Sequence, residues 1–313
     1  MPEVGSHRLD EVSGGSFMKR QIAAALLIFW TVLVSAVQAP DAEYSKSFEK
    51  WKSELVDSRK KNWLSLAGLF WLKPGENTFG SANDNSILLP SGPAHAGALV
   101  RDGKTISVKL QSGVEAKIGG KQMLESKLDA DVTEHPTMIE LGSMRMFVIE
   151  RGDRVGLRVR DLDSPAIRSY AGPQFFPVDL NYRVTATFTA SDGKRTMDVP
   201  NVLGDITPSP IVGEVHFKLD GQDLSLTSFE GSEKEGLSFV IADATSKMET
   251  YPGGRFLDTD PVVDGKVVID FNRAYNPPCS VTPYATCPLA PKENRMTVAI
   301  SAGEKYERAH GHH

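Results

Sequence analysis

Leu99-Val100-Arg101-Asp102-Gly103-Lys104-Thr105-Ile106-Ser107-Val108-Lys109-Leu110 is the stretch on which the fold class turns. Leu99–Arg101 and Thr105–Leu110 read as short strands, and Asp102-Gly103 between them is a hairpin turn signal. The same grammar runs outward in both directions. Ile87–Leu89 precedes it; Val114–Ile118, Lys121–Ser126, Thr137–Leu141, Met144–Glu150 and Val155–Arg160 follow, with turns at Ser112-Gly113, Gly119-Gly120 and Gly152-Asp153. Strands at intervals of about 8–12 residues joined by hairpin turns predict an all-β barrel or sandwich built from antiparallel meanders.

The second half repeats this pattern. Tyr182–Ala190 alternates as a strand, Asp192-Gly193 turns into Lys194–Val199, and Asn201–Pro210 reads as a loop. Gly213–Leu219, Asp220-Gly221 and Leu224–Phe229 form a strong hairpin signal. Leu237–Ala242, Gly254–Leu257, Val267–Phe271 and Met296–Ser301 complete the strands. Asp161–Pro177 interrupts the meander with polar, aromatic and proline residues together. The expectation is one all-β domain over residues 40–305, with a division into two lobes near 161–180 as the alternative.

One helix precedes the sheets. Tyr44, Phe48, Trp51 and Leu55 fall at i, i+4, i+7 and i+11, a single apolar stripe over Asp41–Asn62. Asp41 suits the N-cap, and Lys60-Lys61 suit the C-terminal dipole.

Upstream lies a targeting segment. Lys19-Arg20 precede an apolar run from Ile22 to Val37, with small residues at Ala36 and Ala39. This is the layout of a secretory signal peptide over residues 18–39, with Met18 as the start and 1–17 a mis-assigned extension. The run is shorter than the ~20 residues a membrane span needs, so no stable span is expected in the mature protein. Export to the periplasm or beyond follows from this reading, and residues 306–313 are expected to form a disordered tail. The net charge of −5 and pI near 5.9, with no long run of Lys and Arg, argue against a nucleic-acid footprint, which would need a clustered basic face.

The densest polar stretch is Asp270-Phe271-Asn272-Arg273-Ala274-Tyr275-Asn276-Pro277-Pro278-Cys279, followed by Cys287 and Glu293-Asn294-Arg295. Pro277-Pro278 ends any strand ladder because neither residue donates a backbone hydrogen bond. In an oxidising compartment Cys279 and Cys287 are expected to form a disulfide; a reactive thiol pair or two metal ligands are the alternatives, and the spacing is not a standard zinc one.

These residues carry a resemblance. The Asp270–Cys279 stretch, Thr282-Pro283-Tyr284-Ala285-Thr286-Cys287-Pro288-Leu289 and Pro291–Arg295 resemble the signature of domain of unknown function family 1684. Asn62–Leu72, Arg168-Ser169-Tyr170-Ala171-Gly172 with Phe176-Pro177, and Thr250-Tyr251 with Gly254-Arg255-Phe256 are similar to further motifs of that family, so the likeness spans roughly residues 45–305. The family's name implies no activity, and the resemblance therefore points to positions rather than roles.

Familiar catalytic devices are missing: no G-x-S-x-G elbow, phosphate-binding G-x-x-x-x-G-K, G-x-G-x-x-G or H-E-x-x-H occurs. His95, His135 and His216 are scattered and single out no triad or metal set. The remaining polar set is Arg255, Asp270, Asn272, Tyr275, Asn276, Asn294 and Arg295, with Arg168 and Tyr170 from the interrupting loop. Arginine can hold an anion in a forked contact, asparagine can orient an amide, and Asp270 can act as a base. The expected function is a module binding a small polar or anionic ligand beside the Asp270–Arg295 loop. The alternatives are a hydrolase using Asp270 and Arg255, and a cell-envelope protein without a ligand. No cofactor or metal is assigned.

Overall fold

The structure, a computed structural model, describes residues 37–306. The signal-peptide expectation falls mostly, and the tail expectation almost wholly, outside those residues. Helix α1 (Ala42–Asn62) leads into β1 (Leu66–Trp71), β2 (Gly75–Gly80), β3 (Ile87–Leu88), β4 (Gly97–Asp102), β5 (Thr105–Leu110), β6 (Lys117–Ile118), β7 (Glu125–Leu128), β8 (Ile139–Leu141), β9 (Met144–Arg151) and β10 (Arg154–Asp161). After the short α2 (Pro165–Ser169) come β11 (Arg183–Ala190), β12 (Thr196–Pro200), β13 (Ile206–Pro210), β14 (Gly213–Leu219) and β15 (Gln222–Ser228). The last strands are β16 (Glu230–Ser232), β17 (Gly236–Ile241), β18 (Arg255–Asp258) and β19 (Lys266–Asp270).

The protein is mainly β and sandwich-like. The first ten strands form two five-stranded sheets, in the orders β1-β10-β9-β8-β6 and β3-β2-β4-β5-β7. Between them lies one apolar core, from Leu72 and Phe79 to Val148, Leu157 and Val159. The later strands form β15-β14-β11-β19, β16-β17-β18 and the ribbon β12-β13. A second core, from Ala186 and Val215 through Phe239 and Leu257 to Ile300, fills their inner faces. No sheet closes on itself among the described residues, so the barrel alternative is not the one adopted. Among the described residues the strands pair antiparallel except for the two-residue contact of β2 with β3, and two isolated bridges, Ala242 with Arg295 and Ser246 with Thr250, are also parallel.

Local chemistry explains the connections. Between β14 and β15, Asp220 and Gly221 both have positive φ, 48° and 75°. That is the backbone a two-residue type I′ hairpin demands, and Asp-Gly supplies it at low cost. Asp41 caps α1 by accepting from the Tyr44 amide at 2.7 Å, and Arg59, Lys60 and Lys61 occupy the last turn. The apolar stripe of α1 buries Phe48 and Leu55, and Phe48 and Trp51 both meet the Phe175 ring at 5.6 Å. Burying one such ring is worth roughly 1.5–3 kcal/mol.

Three strand expectations are corrected. Asn201–Pro210 is not all loop, because Ile206–Pro210 pairs with Thr196–Pro200 as a ribbon. Pro208 and Pro210 are tolerated there because a two-stranded ribbon leaves an outer edge that needs no donor. Met296–Ser301 keeps strand-like alternation, with Met296, Val298 and Ile300 buried, but runs without a ladder partner beyond one isolated bridge at Arg295. Phe271 leaves the strand for a 3₁₀ turn over Phe271–Arg273, capped by the Asp270 side chain.

Candidate functional site

Strand β19 ends where its last residue can turn outward. Asp270 closes the ladder against Arg183 of β11, and its Oδ1 accepts from the Asn272 amide at 3.2 Å, which starts the 3₁₀ turn. That turn carries Arg273 round to the same side as Asp270. The first turn of α1 lies across this corner. The Tyr44 hydroxyl donates to Asp270 Oδ2 at 2.8 Å, and the Tyr44 ring lies between Arg183 and Arg273, whose guanidinium carbons stand 6.0 and 5.9 Å from its centroid.

Between α1 and this corner opens a cleft of about 440 Å³. Asp41, Glu43, Tyr44, Ser47 and Trp51 line it from the helix; Arg183, Asp258, Asp260, Asp270 and Arg273 line it from the strands and turns. Its arginines are only loosely held. Arg273 Nε is 3.6 Å and Arg183 Nε 3.8 Å from Asp270 Oδ2, ion-pair distances too long for hydrogen bonds. Arg273 Nη2 donates to Ser47 Oγ at 2.9 Å, while its buried Nε makes no hydrogen bond. Burial, together with the Asp270 charge, raises the Tyr44 pKa well above the usual phenol value, so Tyr44 stays a donor.

A second hollow, about 160 Å³, lies between the loop at Tyr170 and the Asn276 turn. Arg59 stands behind it. Its Nη1 donates to Tyr170 Oη and to Glu304 Oε1, both at 2.8 Å, and its Nη2 donates to the Asn276 carbonyl at 3.1 Å. Arg59 has no exposure. Burial works against its charge, and Glu304 with Tyr170 more than offsets that, raising its pKa. Asn276 Nδ2 donates to the Lys305 carbonyl at 2.8 Å, while its Oδ1 is buried without a partner.

The sequence-derived set is divided by these facts. Asp270 borders the large cleft; Tyr170 and Asn276 border the small hollow. Tyr275 lines neither, its hydroxyl donating to Asp258 Oδ2 at 2.7 Å and its ring packed against Trp51, Trp63 and Phe256. Arg255 belongs to neither. Gly254, at φ +103°, delivers it inward, and a Cβ there would meet the Ile241 carbonyl at 2.8 Å. Arg255 is 1% exposed; its Nη2 donates to Asp243 Oδ2 at 2.8 Å and to the Ile300 carbonyl at 3.2 Å, and its Nη1 donates to the Ala302 carbonyl. A sealed guanidinium cannot hold a ligand at the cleft, which removes the pairing of Arg255 with Asp270 on one substrate.

Four asparagine and arginine expectations resolve into architecture. Asn272 Nδ2 donates to the Asp179 carbonyl at 2.9 Å and its Oδ1 accepts from the Asp179 amide at 3.0 Å. Asn294 makes the same two-way contact with the Thr227 backbone at 2.9 and 2.7 Å. Arg295 is exposed and bonds the Ala290 carbonyl, and Arg168 is exposed and bonds the Asp163 carbonyl. The cleft residues missed from the sequence include Tyr44, Arg183, Arg273, Asp258 and Asp260. Tyr44 sat on an apolar helix stripe, yet a tyrosine there needs a partner for its hydroxyl. Arg273 stands inside the richest polar stretch, but side chains alternate along a straight strand, and only the 3₁₀ turn over Phe271–Arg273 brings it beside Asp270.

Cys279 and Cys287 stand at disulfide distance, with Cα atoms 6.2 Å apart. Their loop does not cover the cleft. It packs through Tyr284, Ala285 and Cys287 against Leu66 of β1, joining the first sheet to the C-terminal segment.

Fold and site together define a mainly β protein with two cores and an open, charge-lined cleft between its N-terminal helix and β19. Residues 168–305 match DUF1684, described as a protein of unknown function, and the chain belongs to that family. The matched segment begins in the last turn of α2 and holds the second core and the Asp270 turn; Asn62–Leu72 and α1 lie outside it. Among solved structures, an uncharacterized protein of Haloarcula marismortui is 31% identical, over 47% of this chain and 83% of that one, with a TM-score of 0.39. The FHA structure of Rv0020c is 18% identical, over 30% of this chain and 94% of that one, with a TM-score of 0.21. No curated protein matches the chain.

Proposed function

We propose that this protein is an exported binding module that holds a small polar ligand in the cleft between α1 and β19, with Asp270, Arg273 and Arg183 orienting it. The observation that carries this reading is the state of the cationic groups. A buried Arg273 Nε without a hydrogen bond, beside a carboxylate that two guanidinium groups approach without docking, is an arrangement a ligand completes. Five carboxylates and two arginines line the cleft. That balance favours a ligand rich in hydroxyl or amino donors with one acceptor group for the arginines, over a bare anion. Trp51 offers an apolar wall for the ligand's carbon skeleton.

Export rests on the Lys19–Ala39 layout, and the paired cysteines suit an oxidising compartment. No helix among the described residues is long and apolar enough to cross a membrane.

A thermal-shift screen of sugars, polyols and amino acids tests the binding reading. At least one compound should stabilise the protein saturably, and Arg273→Ala should abolish that shift while leaving the unliganded melt nearly unchanged. A screen without hits, or a hit indifferent to both Arg273→Ala and Asp270→Asn, sinks it.

A further inference from the structure

The β9–β10 ladder has a second face, turned away from the first core. Side chains alternate across a strand, so the inward set Met144, Met146, Val148, Val155, Leu157 and Val159 leaves the other positions outward. Arginine recurs there. Arg145 is held by Glu140 at 3.5 Å, Arg151 by Asp131 at 2.8 Å, and Arg154 by Asp205. Arg158 and Arg160 form no ion pair with a carboxylate among the described residues, although the charge of Asp131 reaches Arg158.

Those two are also poor in hydrogen bonds. Arg158 Nη2 reaches the Tyr284 carbonyl at 3.4 Å and Thr286 Oγ1 at 3.5 Å, the outer limit of such contacts. Arg160 makes none; its guanidinium lies over the Phe147 ring, 5.8 Å from the centroid. The Nε of each is buried and unpartnered. Register places Arg160 opposite Arg145, and like charges facing across a ladder destabilise it. Burial, with Arg151 and Arg160 nearby, pushes the Arg158 pKa down to about 10, although Asp131 works the other way. Half-buried cations with free donors, on one face and about 7 Å apart along a strand, form the fork-shaped lining that phosphate and carboxylate groups fill.

We propose that Arg158 and Arg160 form an oxyanion site on the outer face of the β9–β10 ladder, bordered by Tyr284 and Thr286 of the cysteine-stapled loop. The site is separate from the cleft at Asp270 and stands whether or not that cleft binds anything. An anion there would tie the stapled loop to the first sheet through Arg158, so occupancy would stiffen the junction between the N-terminal sheets and the C-terminal segment.

The test uses the mature chain at constant ionic strength, with inorganic phosphate, succinate or sodium chloride, read by calorimetric titration and thermal melts. Phosphate, succinate or both should bind saturably and raise the melting temperature, where chloride does not. Binding of phosphate alone identifies a phosphate site, and binding of both a general oxyanion site. Arg160→Met should weaken the apparent Kd roughly tenfold or more, the loss of one charge-assisted contact. The same variant should melt no lower than the parent without anion, because it removes an unpaired cation and breaks no hydrogen bond. Arg160→Lys, which keeps the charge and loses the fork, should fall between. Arg158→Met is the second probe, and Arg160→Met remains decisive if loss of the loop contact prevents that variant from folding. The proposal is overturned if chloride matches phosphate and succinate, if neither binds, or if binding is unchanged in Arg160→Met.

Discussion

Arg255 and Arg273 stand at opposite ends of the same short segment and in opposite chemical states. Around Arg255 everything is satisfied: Asp243 supplies the charge, Ile300 and Ala302 supply carbonyls, and no solvent enters. Around Arg273 little is. Its carboxylate stays 3.6 Å away, one buried donor is idle, and a cleft lies open beside it. The difference teaches that residue type does not separate a strut from a site. Satisfaction does: a buried polar group with all its partners is architecture, and one without them invites a ligand or water.

The largest expected effect breaks the comparison if it is absent. Arg255→Ala leaves Asp243 buried and uncompensated, which should cost about 3–5 kcal/mol in urea unfolding. A loss below about 1 kcal/mol would mean that the pair is not the strut described and that both arginines belong to one class. Next in size is the cysteine pair. Cys279→Ser with Cys287→Ser should cost roughly 2.5 kcal/mol under non-reducing conditions, the loop-closure entropy of a short staple. The parent treated with reductant should converge on the same value.

Much of this architecture was legible in the sequence. The stripe at Tyr44, Phe48, Trp51 and Leu55 gave α1 to within a residue, and Asp-Gly turns gave the hairpins, because both signals are local. The stripe also continued to Arg59, a cation where an apolar residue was due, and that was the visible sign of the Glu304 pair. Long-range satisfaction was not legible. Whether Arg255 is sealed depends on carbonyls at Ile300 and Ala302, and whether Asp270 borders a cleft depends on Tyr44, far away in the chain. Ladder partners pose the same problem: Met296–Ser301 alternates like a strand, and β12–β13 accepts prolines that argue against one.

Alkaline pH sharpens the comparison more gently. Tyr275 and Tyr44 both have pKa values raised above the ordinary 10.0, with burial the larger cause in each. Their contribution is fully present below the unfolded value and is lost as pH rises beyond it, because the unfolded phenol ionises first. Stability should therefore fall above about pH 10, and Tyr275→Phe should remove up to about 1.4 kcal/mol per pH unit of that slope. Tyr44→Phe should remove less, since solvent at the cleft screens its charge. Urea unfolding at successive pH values reads the difference between parent and variant, in which lysine titration cancels.

The smallest effect is the most telling. Arg273→Met deletes a cation whose ion pair is long and whose Nε is unbonded, leaving one hydrogen bond to Ser47 as the main loss. Long, partly exposed pairs contribute little, and the methionine retains most of the aliphatic packing over Tyr44. Stability should change by no more than about 1 kcal/mol, several-fold less than for Arg255→Ala. If Arg273→Met instead unfolds the protein as Arg255→Ala does, Arg273 is a second strut. The open cleft would then be packing that happens to face water, and the ligand reading would lose its main support.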